Sequence, residues 1–499
     1  MSTSIPQDAF TKSRARFEAA CGFMGGEEAR GFTHAELEQR LSVDARELVR
    51  QLLQDHLDLR AERETRRDDV ADSEGVRHGT LEEDHTRPLL TIFGEVTVTR
   101  LAYRRRAEHN LYPSDAELNL PLEVHSHGLR EFSAIESARG SFEEATEAIR
   151  RATGVSCGKR QVEHLAVRSA VDFAAFYEQR ARVPGKDRDV LVLSADGKGI
   201  VMRPDALRPG TAKAAASTSA KLATRLSKGE KRNRKRMAEV GAVYDVTPVM
   251  RTSSDIIGRD DETVVKAPPP TAANKWLTAS VVDDAATVIS SIFDEAERRD
   301  PAHQRTWVAL VDGARHQIDC IRAEAKSRKV EVAILCDFVH VLEYLWKAAW
   351  SFFDEGDPEA EEWVADKALA VLNGEAGIVA ASIRRKATCL GLDQHTRENA
   401  DRCADYLLAK RTYLNYAHAL REGWPIATGV IEGACRHLVK DRLDLTGSRW
   451  GLEGAESILK LRALRSNGDF SEYWTFHLEN ERHRVHEVRY VNEKIPVAA

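Results

Sequence analysis

The stretch Val190-Leu191-Val192-Leu193-Ser194-Ala195-Asp196-Gly197 decides how this chain is read. Residues 190–195 form a nearly continuous apolar run, the pattern of a strand buried on both faces. Asp196 ends the run, and Gly197-Lys198-Gly199 reads as a turn into a partner strand through Val201 and Met202. The pattern recurs downstream, where Trp307–Val311 is followed by Asp312-Gly313. A single Asp-Gly pair says little. Two of them, each closing a buried strand, put carboxylates where an unpaired charge is costly. A hard cation with oxygen ligands offsets that cost, and Mg²⁺ suits carboxylates combined with phosphate oxygens and retained waters. Asp196 and Asp312 are therefore candidate metal ligands.

A third acidic residue, Glu432, lies in Thr428-Gly429-Val430-Ile431-Glu432-Gly433-Ala434-Cys435-Arg436, the expected first turn of a helix. Taken alone it is ambiguous. A helix dipole favours glutamate there, and Arg436 stands at i+4 as a plain ion-pair partner. Cys336-Asp337-Phe338-Val339-His340 follows another expected strand. Asp337 and His340 share a helix face, either as metal ligands or as an oriented Asp–His hydrogen bond. The three carboxylates lie so far apart in the chain that only a fold can bring them together.

Around these segments the chain alternates strand and helix, which indicates an α/β layer fold. Strands are expected at 189–195, 237–246, 306–311 and 330–335, and a helix at 278–298 after Pro268-Pro269-Pro270. Residues 341–421 read as helical throughout, with Trp346, Trp350, Phe352, Phe353, Tyr406, Tyr413 and Tyr416 expected mainly in a core. Near the N-terminus, Leu37, Leu41, Ala45, Leu48, Leu52 and Leu57 form a helical stripe within a charged region. Residues 89–93 and 96–103 read as a hairpin, with Arg104-Arg105-Arg106 after it. Ser141 caps a helix over Phe142–Thr153, Gly154 stops it, and Lys159–Arg168 forms the next, a helix-turn-helix pattern with a long turn. The expected divisions are 1–88 (helical), 89–185 (hairpin and helix pair), 186–340 (first part of the α/β core), 341–424 (all-α insertion) and 425–499 (second part of the core with C-terminal helices).

Composition sets the bounds. The 499 residues carry a net charge of −6 and 42% hydrophobic residues, so a polyanion partner would have to be met by local patches. One such patch is the cationic run containing Lys221, Arg225, Lys228, Lys231, Arg232, Arg234, Lys235 and Arg236. The seven cysteines are scattered and include no C-x-x-C pair, which argues against a zinc ribbon or a disulfide framework. No stretch approaches the ~18 apolar residues of a membrane helix. The first residues lack a signal-peptide pattern, so a cytoplasmic protein is expected.

Several of these segments together resemble bacterial insertion-sequence transposases of the ISKra type, with wider likeness to Mutator-like enzymes. The pieces are Leu193-Ser194-Ala195-Asp196-Gly197-Lys198, Val311-Asp312-Gly313-Ala314, Asp337-Phe338-Val339-His340 with Leu342-Glu343-Tyr344-Leu345, and Trp424-Pro425-Ile426-Ala427 running into the Glu432 segment. Ser448-Arg449-Trp450 and Leu461-Arg462-Ala463 through Asn467-Gly468-Asp469 complete the likeness, which covers about residues 90–475. It implies an RNase H-like catalytic core, a mixed sheet with flanking helices, carrying an all-α insertion and preceded by an N-terminal α+β DNA-binding region. It implies a catalytic, metal-binding triad of Asp196, Asp312 and Glu432 holding two Mg²⁺ ions, with Mn²⁺ as a substitute, and Asp337 and His340 in support. The implied partners are double-stranded DNA, as terminal inverted repeats and target, and further copies of the chain in a dimer or larger assembly, in the bacterial cytoplasm at the nucleoid. Lys198, Lys231, Arg232, Arg234, Lys235, Arg236, Arg436, Lys440 and Arg449 are the candidate DNA contacts. Two departures stand out: Ala427-Thr428 replaces the family's Gly-Ser, and Val439 stands where some relatives carry a lysine, with Lys440 one residue later. The competing functions are a catalytically silent, domesticated DNA-binding protein and an RNase H-fold nuclease without strand transfer.

Overall fold

The computed structural model describes residues 9–182, 185–186, 188–217, 226, 230–231, 234–258, 266–445 and 447–497. The chain forms two compact units, one of residues 1–179 with 468–499 and one of residues 180–467. The C-terminal residues 468–499, expected with the α/β core, thus belong to the unit that holds the N-terminal residues. Among the described residues no helix is long and apolar enough to cross a membrane.

In the first unit, α1 (Thr11–Gly25) packs on α2 (His34–Arg63). A reciprocal box between Thr33 and Glu36 starts α2. Of the leucine stripe, Leu57 is buried whereas Leu41 and Leu52 remain exposed, so the stripe is only partly covered. The hairpin is longer than the apolar runs indicated. β1 (Thr80–Thr91) and β2 (Gly94–Arg104) pair through a turn at Ile92-Phe93, with a bulge near Asp84. Its first half is polar and shows no apolar alternation. Then follow α3 (His127–Arg139), α4 (Phe142–Thr153), α5 (Lys159–Arg168) and α6 (Phe173–Gln179). The bounds of α4 and α5 match the expected ones because the signals are local. Ser141 and Glu144 cap α4 reciprocally, and Gly154 at φ 74° ends it in the left-handed region.

The C-terminal helix Phe470–Val485 joins this unit through buried polar contacts. Arg130 Nη1 donates to Glu481 Oε1 at 3.0 Å, and Arg130 Nη2 donates to His477 Nε2 at 3.0 Å. With Nε2 accepting, His477 Nδ1–H donates to Asp172 at 2.6 Å.

The second unit is built on a mixed five-stranded sheet. Its strands are β3 (Val190–Val201), β4 (Lys235–Val246), β5 (Ala272–Ser280), β6 (Trp307–Val311) and β7 (Val332–Cys336), in the order β5-β4-β3-β6-β7. β4 runs antiparallel to β3 and β5, while β6 is parallel to β3 and β7 parallel to β6. Helix α7 (Ala285–Arg299) packs on β3 and β4, and α8 (Arg315–Arg328) joins β6 to β7. Two expectations fail here. Residues 278–280 are strand, not helix, because Trp276, Leu277 and Thr278 are buried opposite Val243, Ala242 and Gly241. Likewise Gly197-Lys198-Gly199 makes no turn: β3 continues through it, paired with β4 as far as Val201↔Lys235. The glycines there provide space. A Cβ at Gly197 would lie 2.9 Å from Met237 Cε and 3.1 Å from Glu239 Oε2, and one at Gly199 3.0 Å from Lys235 Cδ.

Residues 338–421 are helical: α9 (Phe338–Ala349), α10 (Pro358–Leu372), α11 (Ala376–Cys389), α12 (Glu398–Ala409) and α13 (Tyr416–Arg421). Their shared core is mostly aliphatic and small, including Leu345, Val364, Ala368, Val379, Ile383, Ala404 and Leu407. Tyr416 is fully buried, as expected, but Trp350 is exposed and the other named aromatics are half-buried. After this insertion come α14 (Gly429–Ala434), a π-helical turn Cys435–Lys440, a last turn Asp441–Leu443, and α15 (Leu452–Asn467).

Candidate active site

Strand register sets where Asp196 and Asp312 fall. The last aligned pair between β3 and β6 is Ser194↔Leu310. Asp196, still within β3, and Asp312, the residue just after the end of β6, each lie two residues beyond it. Pairing with β6 stops at this level while β4 continues beside β3. Asp196 therefore stands inside a long strand, at the point where the sheet narrows.

Both oxygens of Asp196 are held. Gly197 N donates to Oδ1 at 2.7 Å, and Cys435 Sγ donates to Oδ2 at 3.3 Å. Cys435 opens the π-helical turn that follows α14. A π turn leaves carbonyls displaced from the regular ladder, and Arg462 of α15 satisfies two of them, donating to His437 O and Leu438 O. Burial and the neighbouring Asp196 push the Cys435 thiol far up, which keeps it a protonated donor. Glu239 of β4, opposite Gly197, is raised by burial and then by the charge of Asp196.

Asp312 is exposed, and its Oδ1 accepts from Ala314 N at 2.8 Å. Gly313, at φ 96°, allows the backbone to turn sharply into α8; a Cβ there would sit 3.3 Å from Cys336 Sγ and from Tyr406 Oη. Tyr406 of α12 donates to Asp312 O at 3.4 Å, tying the insertion to this turn.

Glu432 lies in the first turn of α14 and reaches solvent. α14 packs on β3 and β4. Partial burial raises the Glu432 carboxyl, followed by the charge of Asp337; Thr428 lowers it, and Asp196 raises it further. Asp337 is buried and acts as a clamp. It caps α9 through Val339 N at 3.0 Å, and accepts from Thr428 N at 3.3 Å and from Thr428 Oγ1 at 2.7 Å. Thr428 Oγ1 also lies 3.3 Å from Glu432 Oε1. The expected Asp337–His340 hydrogen bond is absent among the described contacts. His340 turns instead to Tyr344 and Tyr406, which stack with centroids 4.2 Å apart.

The donor set fits a hard cation: Asp196, Asp312 and Glu432 offer carboxylate oxygens, and Glu432 is raised first by burial and then by the acidic neighbours Asp337 and Asp196, whose charge a cation would offset. As the side chains stand, no three His, Cys, Asp or Glu among the described residues close on a common metal position. Asp196 and Asp284 act on Glu239, and Asp337 and Asp196 act on Glu432.

The candidate DNA contacts divide. Arg436, Lys440, Arg449 and Lys235 are exposed, and Lys198, Lys231 and Arg234 are half-buried. Lys198 is close enough to Asp196's partner to lower the Cys435 thiol. Arg236 is committed elsewhere: its guanidinium donates to Val281 O at 2.7 Å and Ala206 O at 3.2 Å. Arg232, like Lys221, Arg225 and Lys228, lies outside the described residues. Sequence reasoning missed Glu239 and Cys435, because their contacts to Asp196 arise only from strand pairing and from the return of a helix 239 residues away. In comparisons with known proteins, no family model and no curated protein matches this chain.

Proposed function

We propose that the chain is a DNA transposase with an RNase H-like catalytic core, which cleaves transposon ends and transfers them to target DNA. The observation that carries this reading is that Asp196 on β3 and Asp312 just after β6 each lie two residues beyond the last pair of these parallel strands, with Glu432 close enough for Asp196 to shift its carboxyl. The mixed sheet and the helical insertion between Asp312 and Glu432 agree with the architecture that the resemblance implied.

Asp196, Asp312 and Glu432 would hold two Mg²⁺ ions. When bound, such ions stabilise the attacking and leaving oxygens of an in-line displacement at phosphorus. The chain's own groups orient the reaction. Gly197 N and the Cys435 thiol fix Asp196, and Asp337 with Thr428 fixes the start of α14 and thereby Glu432. Arg436, Lys440, Arg449 and Lys198 are positive groups for the DNA backbone. In the first step water attacks the phosphorus at the transposon end and the strand leaves as a 3′-OH. In the second, that 3′-OH attacks a target phosphodiester and displaces a new 3′-oxygen. Neither step needs a covalent enzyme intermediate. Because two ends must be joined at one target, a dimer or larger assembly on DNA is part of the reading.

The test uses labelled duplexes from the DNA flanking this gene, a plasmid target and Mg²⁺. A transposase yields joined end–target products. Nicked ends without joining would favour a nuclease, and binding without either product a silent DNA-binding protein; both would overturn the proposal.

A further inference from the structure

Asp312 is the first residue after β6, and the last pair between β6 and β7 is Val311↔Cys336. The backbone leaving β6 is held from several sides. Val311 O accepts from Asp337 N at 2.8 Å. Asp312 Oδ1 accepts from Ala314 N at 2.8 Å, and Asp312 O accepts from the Tyr406 hydroxyl at 3.4 Å. Asp312 is exposed, and its Oδ2 has no hydrogen bond or ion pair among the described residues. One carboxylate oxygen thus shapes the turn, and the other remains open to a ligand. Ala314 N belongs to the turn itself. Tyr406 comes from the helical insertion, 94 residues further along the chain.

The Tyr406 ring has little freedom. It stacks on Tyr344 of α9, with centroids 4.2 Å apart and planes 12° apart, and meets His340 edge-on at 5.9 Å. Gly313 makes room for the hydroxyl: a Cβ there would sit 3.3 Å from Tyr406 Oη and from Cys336 Sγ, and 3.6 Å from Lys410 Cε. A phenol carries one proton, and a backbone carbonyl can only accept. That proton goes to Asp312 O. The buried Cys336 thiol, the hydroxyl's other neighbour, then faces the phenolic oxygen as a donor. Two further tyrosines anchor this end of the insertion to the α/β core. Tyr416 Oη donates to Cys336 O at 2.9 Å, and the Tyr413 ring lies 5.2 Å from the Arg322 guanidinium of α8. Stacking therefore fixes the direction of the Tyr406 ring, and the neighbouring anchors fix the segment that follows its helix.

We infer that Tyr406 is a positioning residue for Asp312: through this one hydroxyl, the helical insertion fixes the Asp312 turn so that Oδ2 stays available to a metal ion. The inference rests on the transposase reading in taking Asp312 as a metal ligand. It makes the insertion part of the catalytic centre. Partners that orient a metal ligand without touching the metal commonly change metal affinity or activity about 10–100-fold when they are removed.

Tyr406→Phe removes the hydroxyl and keeps the stacked ring. Two quantities are measured on the full-length chain, after circular dichroism has shown that each variant folds. One is Mn²⁺ binding, read from the electron paramagnetic resonance signal of the free ion. The other is the rate of Mg²⁺-dependent cleavage of a duplex from the DNA flanking this gene. Tyr406→Phe should weaken Mn²⁺ binding about tenfold or more, and should lower kcat while KM for the duplex is unchanged. Tyr413→Phe keeps the ring that meets Arg322 and should match the wild type in both. Asp312→Ala should lose more Mn²⁺ affinity than Tyr406→Phe. Wild-type Mn²⁺ affinity and kcat in Tyr406→Phe would overturn the inference and leave the transposase reading standing, and equal losses in Tyr406→Phe and Tyr413→Phe would overturn it as well. Wild-type Mn²⁺ affinity in Asp312→Ala would remove Asp312 as a ligand, and both readings would fall.

Discussion

Thr428 shows how much of the site hangs on single side chains. Its hydroxyl donates to the buried Asp337 carboxylate, and its backbone N–H donates to the other oxygen of the same group. Thr428→Val keeps the shape but removes the hydroxyl donor. The buried oxygen then lacks a partner, at a cost of about 1–3 kcal/mol. Denaturant unfolding should register that loss, and Thr428→Ser should recover most of it; a valine variant as stable as wild type would show that the clamp contributes nothing. Asp196 and Asp312 were legible in the sequence because each follows an apolar run. That Asp196 lies within β3 was not legible, since Asp-Gly reads as a turn signal and nothing local shows that Met237 and Glu239 fold across the glycine. Glu432 owed its interest to its surrounding motif, and its electrostatic link to Asp196 appears only in the fold.

At the scale of elements, legibility followed how local the signal was. α4 and α5 were readable because caps and a left-handed glycine mark their ends. β5 was misread because its sequence has no strand punctuation before α7, and only pairing with β4 makes it a strand. Gly241 on β4 marks where α7 approaches that strand: a Cβ there would lie 2.8 Å from Ile292 Cδ1 and 3.2 Å from Thr278 Cγ2. Gly241→Val should force α7 away from the sheet and cost about 1–3 kcal/mol, read as a lowered unfolding midpoint. A midpoint equal to that of wild type would mean that α7 yields freely.

Across the whole molecule, the C-terminal helix belongs with residues 1–179 through contacts that no local pattern announces, such as Arg130–Glu481 and Asp172–His477. These contacts set a pH dependence. Burial pushes Asp172 and Glu481 up, but hydrogen bonds and charges from His477, Arg484, Arg130 and Arg168 outweigh it and hold both near about 2. Burial holds His127 and His486 at about 4. All four groups have depressed values, so their stabilisation is complete above the unfolded-state values and is lost as pH falls. The histidines withdraw theirs between 6.5 and about 4, and the carboxylates theirs between about 4 and about 2. Moving a titration midpoint by one pH unit on folding corresponds to about 1.4 kcal/mol. Acidification through that window therefore costs on the order of 3 kcal/mol per histidine, because burial penalises the charged ring. Each carboxylate contributes less, roughly 1–2 kcal/mol, because solvent reaches Arg484 and screens the pairs. The melting temperature should fall in two stages on acidification; a flat profile from pH 7 to 4 would contradict the first. The central claim is that Asp196, Asp312 and Glu432 act together on DNA. The most direct measurement is Mg²⁺-dependent cleavage of a duplex from the DNA flanking this gene by the wild type and by Asp196→Ala, Asp312→Ala and Glu432→Ala, each first shown to fold and to bind that duplex. Cleavage by the wild type alone, abolished by chelation, is the predicted result; full Mg²⁺-dependent cleavage by any one of the three variants would contradict it.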